Sequence, residues 1–463
     1  MPFNSLIFLL FAALFFIVWP IVRHGNHSRW IFIIVASLVF YGWWDWRFIF
    51  LLTGCGLVNF YAGLFIQKFQ RYKKTILILS IFGNLGTLAL FKYLGFFTRN
   101  LNALGLDIPI ITLALPIGIS FYSFQGMSYV IDVYKKVVEP TKNFFHFFAY
   151  LSIFPHLIAG PIIRPSQLLP QLAIARKATD PELWEGFKLI VYGFFKKVVV
   201  ADNLGLLVNV AFMQKETVQS SSYWWAIITF FAIQIYCDFA GYSDIARGLA
   251  KLMGYEFPVN FNHPYVSRSL QEFWSRWHMS LSTWFRDYVF FPLLQRKITP
   301  LNAHISMGIT LLLSGLWHGA GWTFIIWGGL HAAFFSIEQL TRWPKKLKKS
   351  GIGRILSTLL VLFLVWIAWV FFRAESLEQA VSILKVMLNP TLTGFYPMIM
   401  FTIITAIVLF LAVVSEIAVF LKINEKIKNL KYYWILEIIF VAFALTAVFY
   451  LRGKVQTFVY FQF

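Results

Sequence analysis

The chain has 463 residues, of which 59% are hydrophobic and only 13% charged, and its mean hydropathy is +0.69. A soluble domain runs nearer half apolar and a quarter charged, so there is too little polar surface here to coat a globule. With 52 Phe, 18 Trp and 20 Tyr, the chain reads as a polytopic membrane protein, and disordered, collagen-like and disulfide-scaffold classes are excluded. The net charge of +20, from 40 Lys and Arg against 20 Asp and Glu, would hint at nucleic acid in a soluble protein. Here the basic residues sit in short loops between apolar runs. Topology and anionic lipid headgroups account for most of them, some can draw in an anionic cytosolic substrate, and no nucleic-acid partner is expected. Cys55 and Cys237 lie in apolar stretches without a metal-binding pattern and are expected to be core residues.

About 20 apolar residues cross a bilayer core. Leu6–Val22 has no basic residue before it and no small-residue cleavage site after it, so it reads as a first span rather than a signal peptide. Further spans are expected near 30–45, 48–67, 75–94, 110–133, 189–213, 222–245, 303–317, 321–340, 355–372, 398–421 and 433–451, roughly twelve in all. The stretch 145–163 is apolar but carries His146, Pro155, His156, Gly160 and Pro161. It reads as a re-entrant or broken helix, tolerated only where protein or water surrounds it. The loops 23–29, 68–74, 135–142, 164–188, 247–297, 342–354 and 422–431 hold most of the Lys and Arg, and this span count puts all of them on one side, the cytosol. The N-terminus and the end after Arg452 then face outward. Residues 301–337 contain no Asp, Glu, Lys or Arg. They are too many for one span and enough for two short ones, with a break at Trp317-His318-Gly319-Ala320-Gly321-Trp322. No fixed-period repeat, matching halves or flexible linker is present, so residues 1–463 are expected to form a single integral-membrane domain with a catalytic core at about 110–340.

No phosphate-binding glycine loop, Gly-x-Ser-x-Gly elbow or His-Glu-x-x-His zinc helix occurs. What remains is a set of polar residues in apolar surroundings, where they are costly and mark function by default. His318 sits at the break between the two charge-free segments. An imidazole with an ordinary pKa near 6.5 can accept a proton from a hydroxyl, or it can simply hydrogen-bond neighbouring helices. His278 lies in an aromatic stretch where Phe273, Trp277, Leu281, Trp284 and Tyr288 recur at helical spacing. That stripe predicts an amphipathic helix at the cytosolic interface, with Arg276, Arg286 and Asp287 off the stripe. His278 near its edge is either functional or an ordinary belt residue. Asp238 and Asp244 close a long apolar span; pairing with Arg247, Arg276 or Arg286 competes with a catalytic reading. Asp132 and Arg164 carry the same two readings. His331 could line the site with His318 or pack.

Eight segments in order resemble the membrane-bound O-acyltransferase superfamily, and more closely its bacterial branch of alginate O-acetyltransferase-like proteins. They are 1–5, 41–45, 115–125, 129–134, 154–164, 238–244, 273–290 and 314–331. They include Pro116-Ile117-Gly118, Pro155-His156, Gly160-Pro161, Asp238-Phe239-Ala240-Gly241-Tyr242-Ser243-Asp244, Arg276-Trp277-His278 and Leu316-Trp317-His318-Gly319. The resemblance implies an all-α ring of about 11–13 transmembrane helices, with re-entrant and interfacial helices, around a central tunnel. It makes His318 the match for the superfamily's near-invariant catalytic histidine and His278 the match for its second polar residue. Trp277, Trp317, Arg276, Asp238, Asp244, Arg164 and His331 are expected to line the tunnel or bind substrate.

The implied chemistry is acyl transfer to a hydroxyl. The donor would be acetyl-CoA or an acyl-carrier thioester on the cytosolic side, with no bound cofactor or metal. An extracytoplasmic SGNH-type acetyltransferase would pass the acetyl group to a polysaccharide, an exopolysaccharide or the cell wall. The expected place is the bacterial cell membrane. A D-alanyl transferase of teichoic acid fed by a carrier protein is a close alternative. A transporter without covalent chemistry and a scaffold whose chemistry is lost are more distant ones.

Overall fold

The computed structural model describes residues 1–463 except 112, 215–216, 295–297, 392–402, 422, 424–425, 427–429, 431, 455, 457 and 460–463. Most of the described residues are helical, and none forms a strand. Lipid dictates this, because a spanning backbone must satisfy its N–H and C=O groups within its own segment. Five described helices are long and apolar enough to cross a membrane: Phe48–Lys68, the run Gln70–Ala103, Ser221–Leu252, Gly351–Arg373 and Tyr433–Tyr450. Leu6–Val22 and Thr405–Val414 are shorter apolar helices. The chain is an all-α, multi-pass membrane protein. Most of the other expected spans are helical too but carry polar residues that face protein rather than lipid; the expected span 110–133 is helical only from Ile119, its described residues before that having no helix. Ile119–Tyr134 is the clearest case, with Ser120, Ser123, Gln125, Ser128 and Asp132 all buried. The start of the expected 398–421 span and most of the 422–431 loop lie outside the described residues.

The chain divides into two compact units, Met1–Ile190 with Tyr242–Pro258, and Val191–Gly241 with Val259–Phe463. The first holds α1 (Leu6–Val22), α2 (Asn26–Gly42), α3 (Phe48–Lys68), α4 (Lys73–Leu88), α5 (Leu94–Ala103), α6 (Ile119–Tyr134), α7 (Phe144–Ser152), α8 (Phe154–Leu157), α9 (Pro165–Ala173) and most of α10 (Asp180–Phe194). Polar side chains join α3 to α4. The Asn59 and Asn84 amides exchange two hydrogen bonds at 3.0 and 3.1 Å, and the Ser80 hydroxyl donates to Asn59 at 3.2 Å. Such bonds hold helices together in lipid, where apolar contact alone gives little preference for protein over solvent. Arg29 is fully buried, and its guanidinium donates to the Arg23 carbonyl at 2.8 Å, to Asn26 at 2.6 Å and to the Leu172 carbonyl at 2.8 Å. The stretch 145–163 is indeed broken. α7 stops at Ser152, α8 makes a single turn carrying Pro155, and the chain then runs without regular structure to α9.

The second unit contains a π-helical turn, Phe195–Ala201, then α11 (Asp202–Met213) and the first two-thirds of α12 (Ser221–Leu252). There follow α13 (Leu270–Arg276), α14 (Met279–Phe285), α15 (Phe291–Leu294), α16 (Pro300–His318), α17 (Trp322–Thr341), α18 (Trp343–Leu347), α19 (Gly351–Arg373), α20 (Leu377–Met387), α21 (Ile403–Phe420) and α22 (Tyr433–Tyr450). The charge-free run forms two helices, α16 and α17, with the break at 319–321 as expected. Their backbones touch. A Cβ on Gly315 would strike the Phe324 carbonyl oxygen, and one on Gly328 the Leu311 carbonyl oxygen. Small residues at both crossings permit this approach. The amphipathic helix expected through 273–288 is not continuous. It breaks at Trp277 and His278 into α13 and α14, because His278 adopts the left-handed conformation (φ 41°, ψ 53°).

Candidate active site

The break that presents His278 is built by hydrogen bonds from distant residues. At the start of α13 the Ser269 hydroxyl accepts from the Glu272 N–H at 2.9 Å. The buried Glu338 carboxylate of α17 accepts from the Leu270 N–H at 2.5 Å and the Gln271 N–H at 3.4 Å. At the far end Asn260 holds the residues after the break. Its backbone carbonyl accepts from the Met279 N–H at 2.8 Å, and its side-chain oxygen accepts from the Ser280 N–H at 3.2 Å and the Ser280 hydroxyl at 2.9 Å. A non-glycine residue in the left-handed region costs about 1–3 kcal/mol and persists only where its surroundings over-determine it. These bonds supply that determination.

The His278 ring is buried, edge-on to Phe239 at 4.5 Å between centroids and 6.1 Å from Trp317. His318, the last residue of α16, is also buried and meets the rings of Trp317 at 5.1 Å, Trp327 at 5.0 Å and Phe372 at 5.1 Å. His331 lies on α17 against Trp327 at 4.8 Å and Trp274 at 5.0 Å. Trp317 and Trp327 thus link three buried histidines into one aromatic cluster. Trp277 joins its edge, stacked on Phe273 at 5.7 Å and 5.1 Å from Trp369. Imidazoles walled by aromatic rings are shielded from water, which strengthens any electrostatic interaction they make with a reacting group. Among the described residues, no group of three or more His, Cys, Asp or Glu could hold a metal ion.

Asp238 has a structural partner that the sequence reading passed over. Lys197, in the π-helical turn, lies 2.6 Å from Asp238 and 2.8 Å from Asp202. The Val459 N–H donates to the other Asp238 oxygen at 2.6 Å. The segment after α22 therefore folds back along the unit. The Gly453 N–H donates to the Val198 carbonyl at 2.8 Å, and Phe458 lies 5.5 Å from Phe239, the ring that faces His278. Arg276 is turned away from the aromatic cluster: it pairs with Glu272 at 3.0 Å and donates to the Asn262 carbonyl at 3.1 Å. Arg286 pairs with Asp287. Asp244 pairs with Arg247 at 3.2 Å; it and Arg164, at the N-terminus of α9, belong to the first compact unit.

The profile of the membrane-bound O-acyltransferase family matches residues 135–372, a segment that contains all three clustered histidines. The chain belongs to this family. Among the relatives of this acyltransferase, the probable alginate O-acetylase AlgI of Azotobacter vinelandii is 39% identical over 395 residues, 82% of this chain and 76% of the relative. The peptidoglycan O-acetyltransferase of Helicobacter pylori is 34% identical over 78% of this chain and 73% of its own length. The teichoic acid D-alanyltransferase of Bacillus subtilis is 31% identical, over 50% of this chain and 61% of its own. The relatives are bacterial, and a cell-membrane location fits them. Three residues that shape the site of this O-acyltransferase escaped the sequence reading. Lys197 and Glu338 did leave a signal, a charge within or closing an apolar helix. Asn260, in a short loop without charge or periodicity, left none.

Proposed function

We propose that this O-acyltransferase moves acetyl groups from a cytosolic thioester donor, acetyl-CoA first, across the membrane for O-acetylation of an extracytoplasmic polysaccharide. The observation that carries this reading is the cluster of His278, His318 and His331 in one aromatic core within the family-matched segment. The named activities of the alginate and peptidoglycan relatives support an acetyl group and a polysaccharide acceptor. The D-alanyltransferases match a shorter part of the chain, so a carrier-protein donor ranks second. An SGNH-type acetyltransferase outside the membrane is the proposed partner that completes delivery.

In this reading His318 acts as general base. It takes the acceptor hydroxyl proton as the oxygen attacks the thioester carbonyl. The C–O bond forms, the C–S bond breaks, and the departing thiolate recovers the proton from the imidazolium. General-base action of this kind contributes about 10²–10⁴-fold. His278, across Trp317, holds a reacting group in place, and His331 lines the same wall. Proteoliposomes charged with radiolabelled acetyl-CoA, with the extracytoplasmic partner supplied, test the reading. Label is expected on protein, partner or polysaccharide with the wild type and is lost in His318→Ala. Equal labelling by wild type and His318→Ala removes this histidine from the chemistry. No labelling by wild type, followed by labelling from an acyl-carrier thioester, replaces the donor.

A further inference from the structure

We infer that Asn260 is a positioning residue that fixes the protonation tautomer of His278, so that the neutral ring presents the lone pair of Nε2 to the reaction. The inference rests on the role given to His278 above and goes beyond it by assigning which ring nitrogen does what. His278 Nδ1 lies 3.3 Å from the Asn260 side-chain oxygen. An amide can be turned over without changing its shape, so that contact alone does not say which atom faces the ring. Ser280 decides it. Its backbone N–H, 3.2 Å from the same Asn260 atom, is a donor and nothing else. Were the amide reversed, its NH2 group would meet that N–H donor against donor, inside a pocket where Asn260 is 1% and His278 1% exposed. The atom at the centre is therefore the oxygen. The Ser280 hydroxyl, at 2.9 Å, can donate to it as well.

An amide oxygen only accepts, so His278 Nδ1 must carry the proton. In the neutral ring the second nitrogen, Nε2, then holds the lone pair. Nε2 is buried and has no hydrogen-bond partner among the described residues. The backbone adds a second constraint. The Asn260 backbone carbonyl also receives the Met279 N–H, which fixes the turn that carries the ring, and burial of the ring against Phe239 at 4.5 Å leaves it little room to exchange its nitrogens by rotation. A neutral imidazole fixed in this way can take a proton from, or accept a hydrogen bond from, a hydroxyl or thiol at Nε2. It cannot donate to a carbonyl oxygen there until it has been protonated. His278 is thereby assigned the accepting side of the reaction, with Asn260 as its orienting partner, the arrangement in which a third group holds a base in the useful tautomer.

Nitrogen-15 and carbon-13 NMR of histidine-labelled full-length protein in liposomes, with the His278 signals identified by their loss in His278→Gln, reads the tautomer directly. The wild type is expected to show Nδ1 protonated and Nε2 bare, and Asn260→Ala to shift the population toward the other tautomer. In the acetyl-transfer assay Asn260→Ala should lower kcat about 10–100-fold, the scale seen when an outer-shell partner of a metal-bound histidine is removed, with KM nearly unchanged. Asn260→Asp, which keeps an accepting oxygen on Nδ1, should recover most of that loss. Adding Asn260→Ala to His278→Ala should cost nothing further. An Nε2-protonated wild-type ring, a tautomer unchanged in Asn260→Ala, or full additivity of the two substitutions overturns the inference, and the NMR result stands even if Asn260→Ala fails to fold. Wild-type activity in His278→Ala would instead remove His278 from the reaction, and with it the catalytic sense of the pairing.

Discussion

Lys197 shows how a single residue can hold this membrane interior together. Its ammonium forms ion pairs with Asp202 at 2.8 Å and Asp238 at 2.6 Å and donates to the Gln456 carbonyl at 3.4 Å. Replacing Lys197 with Met leaves two buried carboxylates without their cation. Breaking a buried pair from one side costs about 3–5 kcal/mol. Lys197→Met should therefore unfold at a clearly lower temperature in a detergent thermal melt, and adding Asp238→Asn and Asp202→Asn should recover part of the loss. An unchanged melt for Lys197→Met would mean that the charges are not paired in the membrane. Glu338 acts similarly on the backbone. Its carboxylate receives two N–H groups at the start of α13. Glu338→Ala leaves the buried Leu270 N–H unmet, at about 1–3 kcal/mol, removes the partner of the partly buried Gln271 N–H, and should loosen the helix that leads to His278. A selective rise in amide exchange at 270–276 checks this, and uniform exchange across the chain would contradict it.

Helices α16 and α17 succeed as a pair because glycine stands where their backbones meet. Gly315 and Gly328 have no room for a Cβ, while a Cβ on Gly308 of the same α16 meets nothing within 4 Å. Gly328→Val should force the hairpin apart, at an overpacking cost of about 1–3 kcal/mol. It should displace His318 at the end of α16 relative to His331 on α17, with loss of acyl transfer. Gly308→Ala serves as the control and should leave transfer and melting intact. If both variants behave alike, the close approach does not matter. The same elements show what periodicity can and cannot foresee. The break at 319–321 was legible, because a charge-free run too long for one span and too short for a soluble core must turn, and its glycines mark the place. The break at His278 was not. The aromatic stripe through 273–288 has good helical spacing, and bonds to residues distant in the chain, among them Asn260 and Glu338, override it.

On the scale of the whole molecule the basic loops set orientation. By the span count read from the sequence the seven basic loops share one face, where each charge near an anionic leaflet is worth about 1 kcal/mol, and we propose that this face is cytosolic. In a background with Cys55 and Cys237 replaced by Ala, Lys349→Cys in the exposed loop before α19 should react with an impermeant maleimide only after permeabilisation of spheroplasts. Asp107→Cys, in the exposed loop after α5, should react in intact spheroplasts. The reverse pattern would invert the topology and move the donor to the other face.

The sequence by itself determined that the chain is membrane-embedded and helical, where most helices run, which polar residues are trapped among apolar ones, and the acyltransferase resemblance. These follow from local sums of hydropathy and from motif order, and need no knowledge of what touches what. Tertiary structure alone decided the partners: Lys197 for Asp238, Glu338 for the start of α13, and the Val459 N–H for Asp238 across 221 positions of chain. A buried polar group must find its complement wherever packing brings one. In a bundle of helices that place is set by which faces cross, which spacing along the chain does not encode.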